Sequence, residues 1–208
     1  MSRGRFISLE GGEGAGKSTQ ARRLEGELRK RGLRVLLTRE PGGSEGAEAV
    51  RALLMHGEQG RWAARAEALL FAAARADHVE KLIEPALASG VWVICDRFVD
   101  STRAYQGASG IADADIRALH AFATDGLLPD RTVLLALPPE HGVERATRRD
   151  GADADRFISR DGGFHERVAA GFDEIAAREP ARVRRIAAAG GPEQVTDAIL
   201  CELADLLP

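Results

Sequence analysis

Short, nearly continuous apolar runs alternate along the chain with stretches in which apolar residues recur every three or four positions. The runs Phe6-Ile7-Ser8-Leu9, Val35-Leu36-Leu37, Val91-Trp92-Val93-Ile94-Cys95 and Val133 to Leu137 predict strands. A run as dense as Val91 to Cys95 marks a strand buried on both faces of a parallel sheet. Val183 to Ile186 predicts a fifth, weaker strand, because Arg184 and Arg185 interrupt it. Between the runs the period becomes helical, first over Thr19 to Arg31, where Ala21, Leu24 and Leu28 form a stripe that ends at Gly32. Further helices are predicted over Ser44 to His56, Arg65 to Ala88 with Pro85 as a point of kinking or shortening, Asp113 to Asp125 closed by Gly126, Pro139 to Arg149, Gly163 to Ala177 and Glu193 to Leu206. Strands alternating with helices from end to end predict an α/β fold, a five-stranded parallel sheet covered by helices on both sides.

One junction carries chemistry. The first strand runs into Gly11-Gly12-Glu13-Gly14-Ala15-Gly16-Lys17-Ser18-Thr19 and then a helix. This is G-x-x-x-x-G-K-[ST] in the context the motif demands. The glycines let backbone N–H groups turn inward as an anion nest, Lys17 reaches the outer phosphates, and the Ser18 hydroxyl is placed to ligate Mg²⁺. The helix N-terminus faces the same anion. The chain has only Lys17, Lys30 and Lys81 and otherwise takes its positive charge from arginine, so the lysine here is no accident of composition. The fold expectation sharpens to a P-loop NTPase, three layers α/β/α.

Composition narrows the remainder. At 208 residues, 44% hydrophobic and 29% charged, the chain reads as one globular domain with a sizeable core. A net charge of -3 leaves no electrostatic footprint for nucleic acid. Cys95 and Cys201 have no metal-ligand spacing and read as buried small apolar residues in a reducing compartment. The N-terminus reaches its strand within a few residues, and no apolar run approaches the roughly 20 residues of a membrane span. The expectation is a soluble cytoplasmic protein without a membrane partner.

Other candidate residues gather where strands end. Asp96 closes the third strand, as the acid that holds Mg²⁺ in a P-loop site does, and Arg97 beside it suits a second phosphate. Thr38-Arg39-Glu40-Pro41-Gly42-Gly43 breaks regular structure after the second strand, where open α/β sheets bind ligands. On the loop alone, Arg39 and Glu40 read equally as a solvated ion pair. Arg51, on the helix that follows, is within reach of the same cleft. Phe71 and Arg75 stand four residues apart on one helical face, suited to a planar ring, although Phe71 by itself reads as core. Ser101, Thr102, Arg103 and Tyr105 add hydrogen-bonding groups. The charged segment about 145–160, with Arg145, Arg148, Arg149 and Arg156, has little to bury and reads either as a mobile lid over phosphates or as a solvated charge run.

Four spaced motifs together resemble the thymidylate kinases. They are Ile7-Ser8-Leu9-Glu10-Gly11 into Gly14 to Thr19, Thr38 to Gly43, Leu70-Phe71-Ala72-Ala73-Ala74-Arg75, and Asp96-Arg97-Phe98 through Ser101-Thr102-Arg103-Ala104-Tyr105-Gln106-Gly107. The resemblance implies transfer of the ATP γ-phosphate to dTMP, giving dTDP. It assigns Phe71 to stacking on thymine, Arg75 to its exocyclic oxygen and Thr102 to the ring N–H. Tyr105 would crowd the sugar with Gln106 beside it, and Arg97 would contact the acceptor phosphate with Arg39 and Glu40 nearby. Glu13 keeps the loop acid that faces the acceptor side. The P-loop holds no arginine, so a bacterial-type lid arginine is expected, Arg149 first and Arg148 and Arg156 next. Two residues depart from the pattern: Ile158 stands where a glutamate is usual after Asp155-Arg156-Phe157, and Phe98 where tyrosine or histidine is frequent. The resemblance also implies a homodimer formed by helix packing, with Arg65 to Ala88 the candidate.

Three rivals share the P-loop. A regulatory GTPase needs an Asn-Lys-x-Asp guanine reader, and the sequence contains no asparagine. A kinase of another nucleoside monophosphate differs only at Phe71, Arg75, Thr102 and Tyr105. A non-catalytic nucleotide-binding module would keep the cradle, but the intact Lys17, Ser18, Asp96 and Arg97 argue against it.

Overall fold

In the computed structural model, which describes residues 3–58, 60–150, 157 and 160–208, with the backbone alone at 149 and 150, five strands form one parallel sheet. They are β1 (Phe6–Glu10), β2 (Val35–Arg39), β3 (Trp92–Asp96), β4 (Arg131–Ala136) and β5 (Val183–Ala187), in the order β2-β3-β1-β4-β5. The helices are α1 (Lys17–Lys30), α2 (Glu45–Met55), α3 (Ala64–His78), α4 (Glu84–Ala88), α5 (Val99–Ala108), α6 (Asp113–Thr124), α7 (Pro139–Asp150), α8 (Gly162–Arg178) and α9 (Pro192–Glu202). Side chains alternate across the strands. Ile7, Leu9, Ile94, Val133 and Leu135 close one core with Leu24 and Leu28 of α1 and Val195 and Ile199 of α9. On the other face Phe6, Val93 and Cys95 pack with Ile83 and Leu87, while Leu134 meets Phe164, Val168 and Phe172 of α8. Both faces are therefore covered.

The connection from β1 passes over β3 to reach β2, and the connection from β3 passes over β1 to reach β4. Chains leaving neighbouring strand ends in opposite directions open a crevice between them. Leu9 and Arg39 both lie in register with Asp96. The loops after β1, β2 and β3 thus empty into one cleft.

The structure corrects several sequence expectations. The helix predicted over Arg65 to Ala88 is not uniform: a π-helical turn, Val79–Ile83, separates α3 from α4, and the Glu84 N–H reaches back to the Val79 carbonyl. Pro85 has no N–H to give and its ring clashes with the carbonyl four residues earlier, and the widened turn relieves both. The last helix stops at Glu202 rather than Leu206, because Leu203 is buried and Leu206 and Leu207 fold back onto the core through a tight turn. The first helix begins at Lys17, with Gly16 at φ 91° ending the loop. Cys95 is buried as expected, but Cys201 is exposed. Among the described residues no helix is long and apolar enough to cross a membrane.

Helix α5 is clamped by charge. Asp100 is buried and ion-paired to Arg103 at 3.1 Å and Arg182 at 2.7 Å, and Glu179 binds the same two arginines. Burial would raise the Asp100 pKa, but the Arg182 and Arg103 bonds hold it below the usual value. This fixes the helix that carries Thr102, Tyr105 and Gln106.

Candidate active site

Glycine lets the P-loop approach its neighbours. Gly14 has φ 64°, and a Cβ there would lie 2.0 Å from the Gly142 carbonyl oxygen of α7. A Cβ on Gly142 would in turn lie 2.3 Å from the Glu13 carbonyl oxygen. Inside the loop, Lys17 Nζ donates to the carbonyls of Gly11 at 3.1 Å and Gly12 at 2.7 Å. Burial and the neighbouring Arg97 pull the Lys17 pKa down to about 8, against Glu13 and Asp96. Ser18 Oγ donates to Asp96 Oδ2 at 2.5 Å. Two hard oxygen donors thus converge at the mouth of the loop. They suit a magnesium ion, which takes one or two protein ligands and fills its octahedron with phosphate and water oxygens.

Across the cleft, Arg97 has φ 71°, a backbone region that a non-glycine residue enters at a cost. Its guanidinium donates to Glu13 Oε1 at 2.8 Å, Ser101 Oγ at 3.0 Å and the Gly11 carbonyl at 3.2 Å. Burial would raise the Glu13 pKa, but Arg97 and Lys17 outweigh it and hold the carboxyl at about 2. Tyr105 also donates to Glu13, at 2.7 Å, and burial keeps its phenol protonated far above the ordinary range. Beneath them Glu10 is fully buried, with burial and Asp100 pushing its pKa up to about 8. It accepts from the Phe98 N–H at 2.8 Å and Ser101 Oγ at 2.5 Å, and so braces the backbone next to Arg97.

A second pocket opens beside the P-loop between α3 and α5, within one cleft of about 440 Å³. Phe71 and Arg75 come from α3; Thr102, Tyr105 and Gln106 come from one face of α5. Arg75 is buried and donates to Glu40 Oε2 at 2.7 Å and Thr102 Oγ1 at 2.9 Å. Burial would raise the Glu40 pKa, but Arg75 and His78 more than offset it. Gln106 Nε2 donates to the buried Glu67 at 2.9 Å.

The cleft brings together most of the residues singled out in the sequence. Gly14, Ala15, Gly16, Lys17, Ser18, Thr19, Glu13, Arg39, Glu40, Arg51, Phe71, Arg75, Asp96, Arg97, Ser101, Thr102, Tyr105 and Gln106 all line it. Gly11 and Gly12 contribute carbonyls behind the loop. The two readings of Arg39 and Glu40 divide: Arg39 is an exposed partner of Glu48, whereas Glu40 is buried against Arg75 and is no surface pair. Phe71 lines the pocket and packs, partly buried, 6.1 Å from the Phe157 ring. Arg148 is exposed, ion-paired to Glu144 at 2.6 Å, and does not line the cleft. The Arg149 side chain, Asp155, Arg156 and Ile158 lie outside the described residues. Sequence reasoning missed His78, Glu67, Met55 and Phe157. The last two lie on the cleft wall.

A P-loop joined through an arginine bridge to a separate pocket for a planar acceptor, on this five-stranded parallel sheet, defines a P-loop nucleoside-monophosphate kinase. The family profile described as thymidylate kinase matches residues 9–199. The thymidylate kinase of Rhizorhabdus wittichii is 59% identical over 99% of both chains, and that of Caulobacter vibrioides 54% identical over 96% of this chain and 95% of its own. The crystal structure of the Ehrlichia chaffeensis thymidylate kinase superposes with a TM-score of 0.77 at 33% identity, covering 97% of this chain and 99% of that one. The chain belongs to the thymidylate kinase family. Its activity is that of the family, ATP-dependent phosphorylation of dTMP to dTDP.

Proposed function

We propose that the cleft performs this transfer with the residues gathered in it. The observation that carries the proposal is the Arg97–Glu13 bridge of 2.8 Å, which joins the donor loop to the wall of the acceptor pocket. Donor phosphates lie in the nest of Gly11 to Thr19, with Lys17 on the outer phosphates. Ser18 and Asp96 would hold Mg²⁺, which supplies charge neutralisation between the β- and γ-phosphates. Thymine stacks on Phe71, with Arg75 at an exocyclic oxygen and Thr102 at the ring N–H, while Gln106 lies beside the sugar. Tyr105 fills the space a 2′-hydroxyl would need. Arg97, assisted by Arg39, Arg51 and Ser101, holds the acceptor phosphate, and Glu40 acts through Arg75. The chemistry asked of the protein is alignment and charge stabilisation, since phosphoryl transfer needs little covalent participation.

The reading extends to a single domain whose segment about 145–160 serves as lid and brings Arg149, with Arg148 or Arg156 as alternates, to the transferring phosphoryl group. It also includes a homodimer. Leu69 of α3 is 56% exposed and Phe122 of α6 is 92% exposed, on two helices that pack together. A cytoplasmic location accords with the two free cysteines. The test is a product assay on purified protein. With ATP, dTMP and Mg²⁺, dTDP and ADP accumulate one to one; chelation with EDTA stops both, and added Mg²⁺ restores them. ATP loss without dTDP, or turnover indifferent to chelation, contradicts the proposal.

A further inference from the structure

Behind the acceptor pocket a buried chain of hydrogen bonds runs away from the reacting groups. Arg75 Nε donates to Glu40 Oε2 at 2.7 Å. The other carboxylate oxygen, Oε1, meets His78 Nδ1 at 3.1 Å, and His78 Nε2 meets Thr38 Oγ1 at 2.8 Å. His78 is fully buried, Glu40 6% exposed and Arg75 3% exposed. An ionised carboxylate only accepts, so the imidazole carries a proton on Nδ1. His78 is also the last residue of α3, where the π-helical turn begins. Such turns inside helices are frequent at functional sites because they re-aim side chains. The loop after β2 is moulded to this ring. A Cβ on Gly43 would lie 2.3 Å from His78 Nε2 and 2.6 Å from Thr38 Oγ1, and Gly43 has φ 92°.

We propose that His78 is a positioning residue for acceptor recognition: supported by Thr38, it anchors the Glu40 carboxylate so that Arg75 is held in one orientation toward the base. The inference rests on the assignment of Arg75 to the base made above. Arg75 already spends Nε on Glu40 and Nη2 on Thr102. With its plane locked from two sides, the guanidinium presents its remaining donors to the pocket without paying rotamer entropy on binding. Without His78, the Glu40 carboxylate loses the partner on its Oε1 oxygen and the guanidinium gains a swivel. Ground state and transition state depend on this orientation alike, so the effect falls on dTMP affinity rather than on the chemical step.

The test compares His78→Ala, His78→Asn, His78→Gln, Thr38→Val and Arg75→Ala in steady-state kinetics, with thermal melting to establish folding. An asparagine amide nitrogen stands near the place of Nδ1, and a glutamine amide nitrogen near that of Nε2. In His78→Ala the dTMP KM rises about ten-fold, the scale of one lost charge-assisted hydrogen bond, while kcat and the ATP KM stay within about two-fold of wild type. Asparagine restores most of the affinity and glutamine does not. Should His78→Ala fail to fold, Thr38→Val and His78→Asn decide: a smaller dTMP KM rise in Thr38→Val and near-normal affinity in His78→Asn are expected. A folded His78→Ala with unchanged dTMP KM, a parallel loss of kcat or ATP affinity, or equal rescue by glutamine overturns the proposal. If Arg75→Ala binds dTMP normally, the base assignment fails and takes this inference with it; if only the His78 series is silent, the assignment stands and the inference alone falls.

Discussion

Lys17 sits 7% exposed inside the loop it serves, where its ammonium donates to the carbonyls of Gly11 and Gly12. Its pKa near 8 means that the nucleotide-free enzyme loses this charge in mildly alkaline solution. The sign follows from the protonated form being the one that attracts phosphate: below about 8 the site is cationic, and above it the attraction falls away. We therefore expect kcat/KM for ATP to be level through neutral pH and to decline above about pH 8, since that ratio reports ionisations of the free enzyme. A profile flat to pH 10 contradicts this. Lys17, Ser18, Asp96 and Arg97 were legible in the sequence because each belongs to a motif whose spacing is local. His78 and Glu67 were not, since their partners Glu40 and Gln106 lie 38 and 39 residues away, and no period in the chain marks such a pairing.

Among the elements, α7 bears most directly on catalysis. Gly14 and Gly142 let it lie against the P-loop, and the Cβ of Arg145 stands 3.1 Å from where a Cβ of Gly14 would be. Residue 149 follows four positions later in the same helix. The four loop residues Gly12, Glu13, Gly14 and Ala15 include no arginine, so the compensating charge is expected from this helix. Arg149→Ala should lower kcat by about 10²-fold while the dTMP KM stays near wild type, as for loss of a group acting on transition-state charge. An unchanged kcat moves the role to Arg148 or Arg156, or out of the lid. Helix periodicity revealed α7 and its run of arginines. It gave no sign of the π turn before Pro85, because the apolar stripe of Val79, Leu82 and Ile83 looks the same whether the turn is α or π.

At the scale of the molecule, the parallel sheet was readable from its apolar runs, since a strand covered on both faces has few polar positions to disguise it. Strand order was not, because the β2-β3-β1-β4-β5 arrangement is set by crossovers between distant segments. The surface adds a prediction of assembly. Leu69 and Phe122 expose large apolar side chains on adjoining helices, and we expect sedimentation at micromolar concentration to give a dimer mass that Phe122→Glu reduces to monomer. A wild-type monomer contradicts the dimer. The most direct measurement of acceptor choice is a coupled ATP-consumption assay with Mg²⁺, offering dTMP, dUMP, UMP, CMP, AMP and GMP separately. We expect turnover dominated by dTMP; a preference for any of the other five, or no turnover with all six, contradicts the assignment of the acceptor pocket.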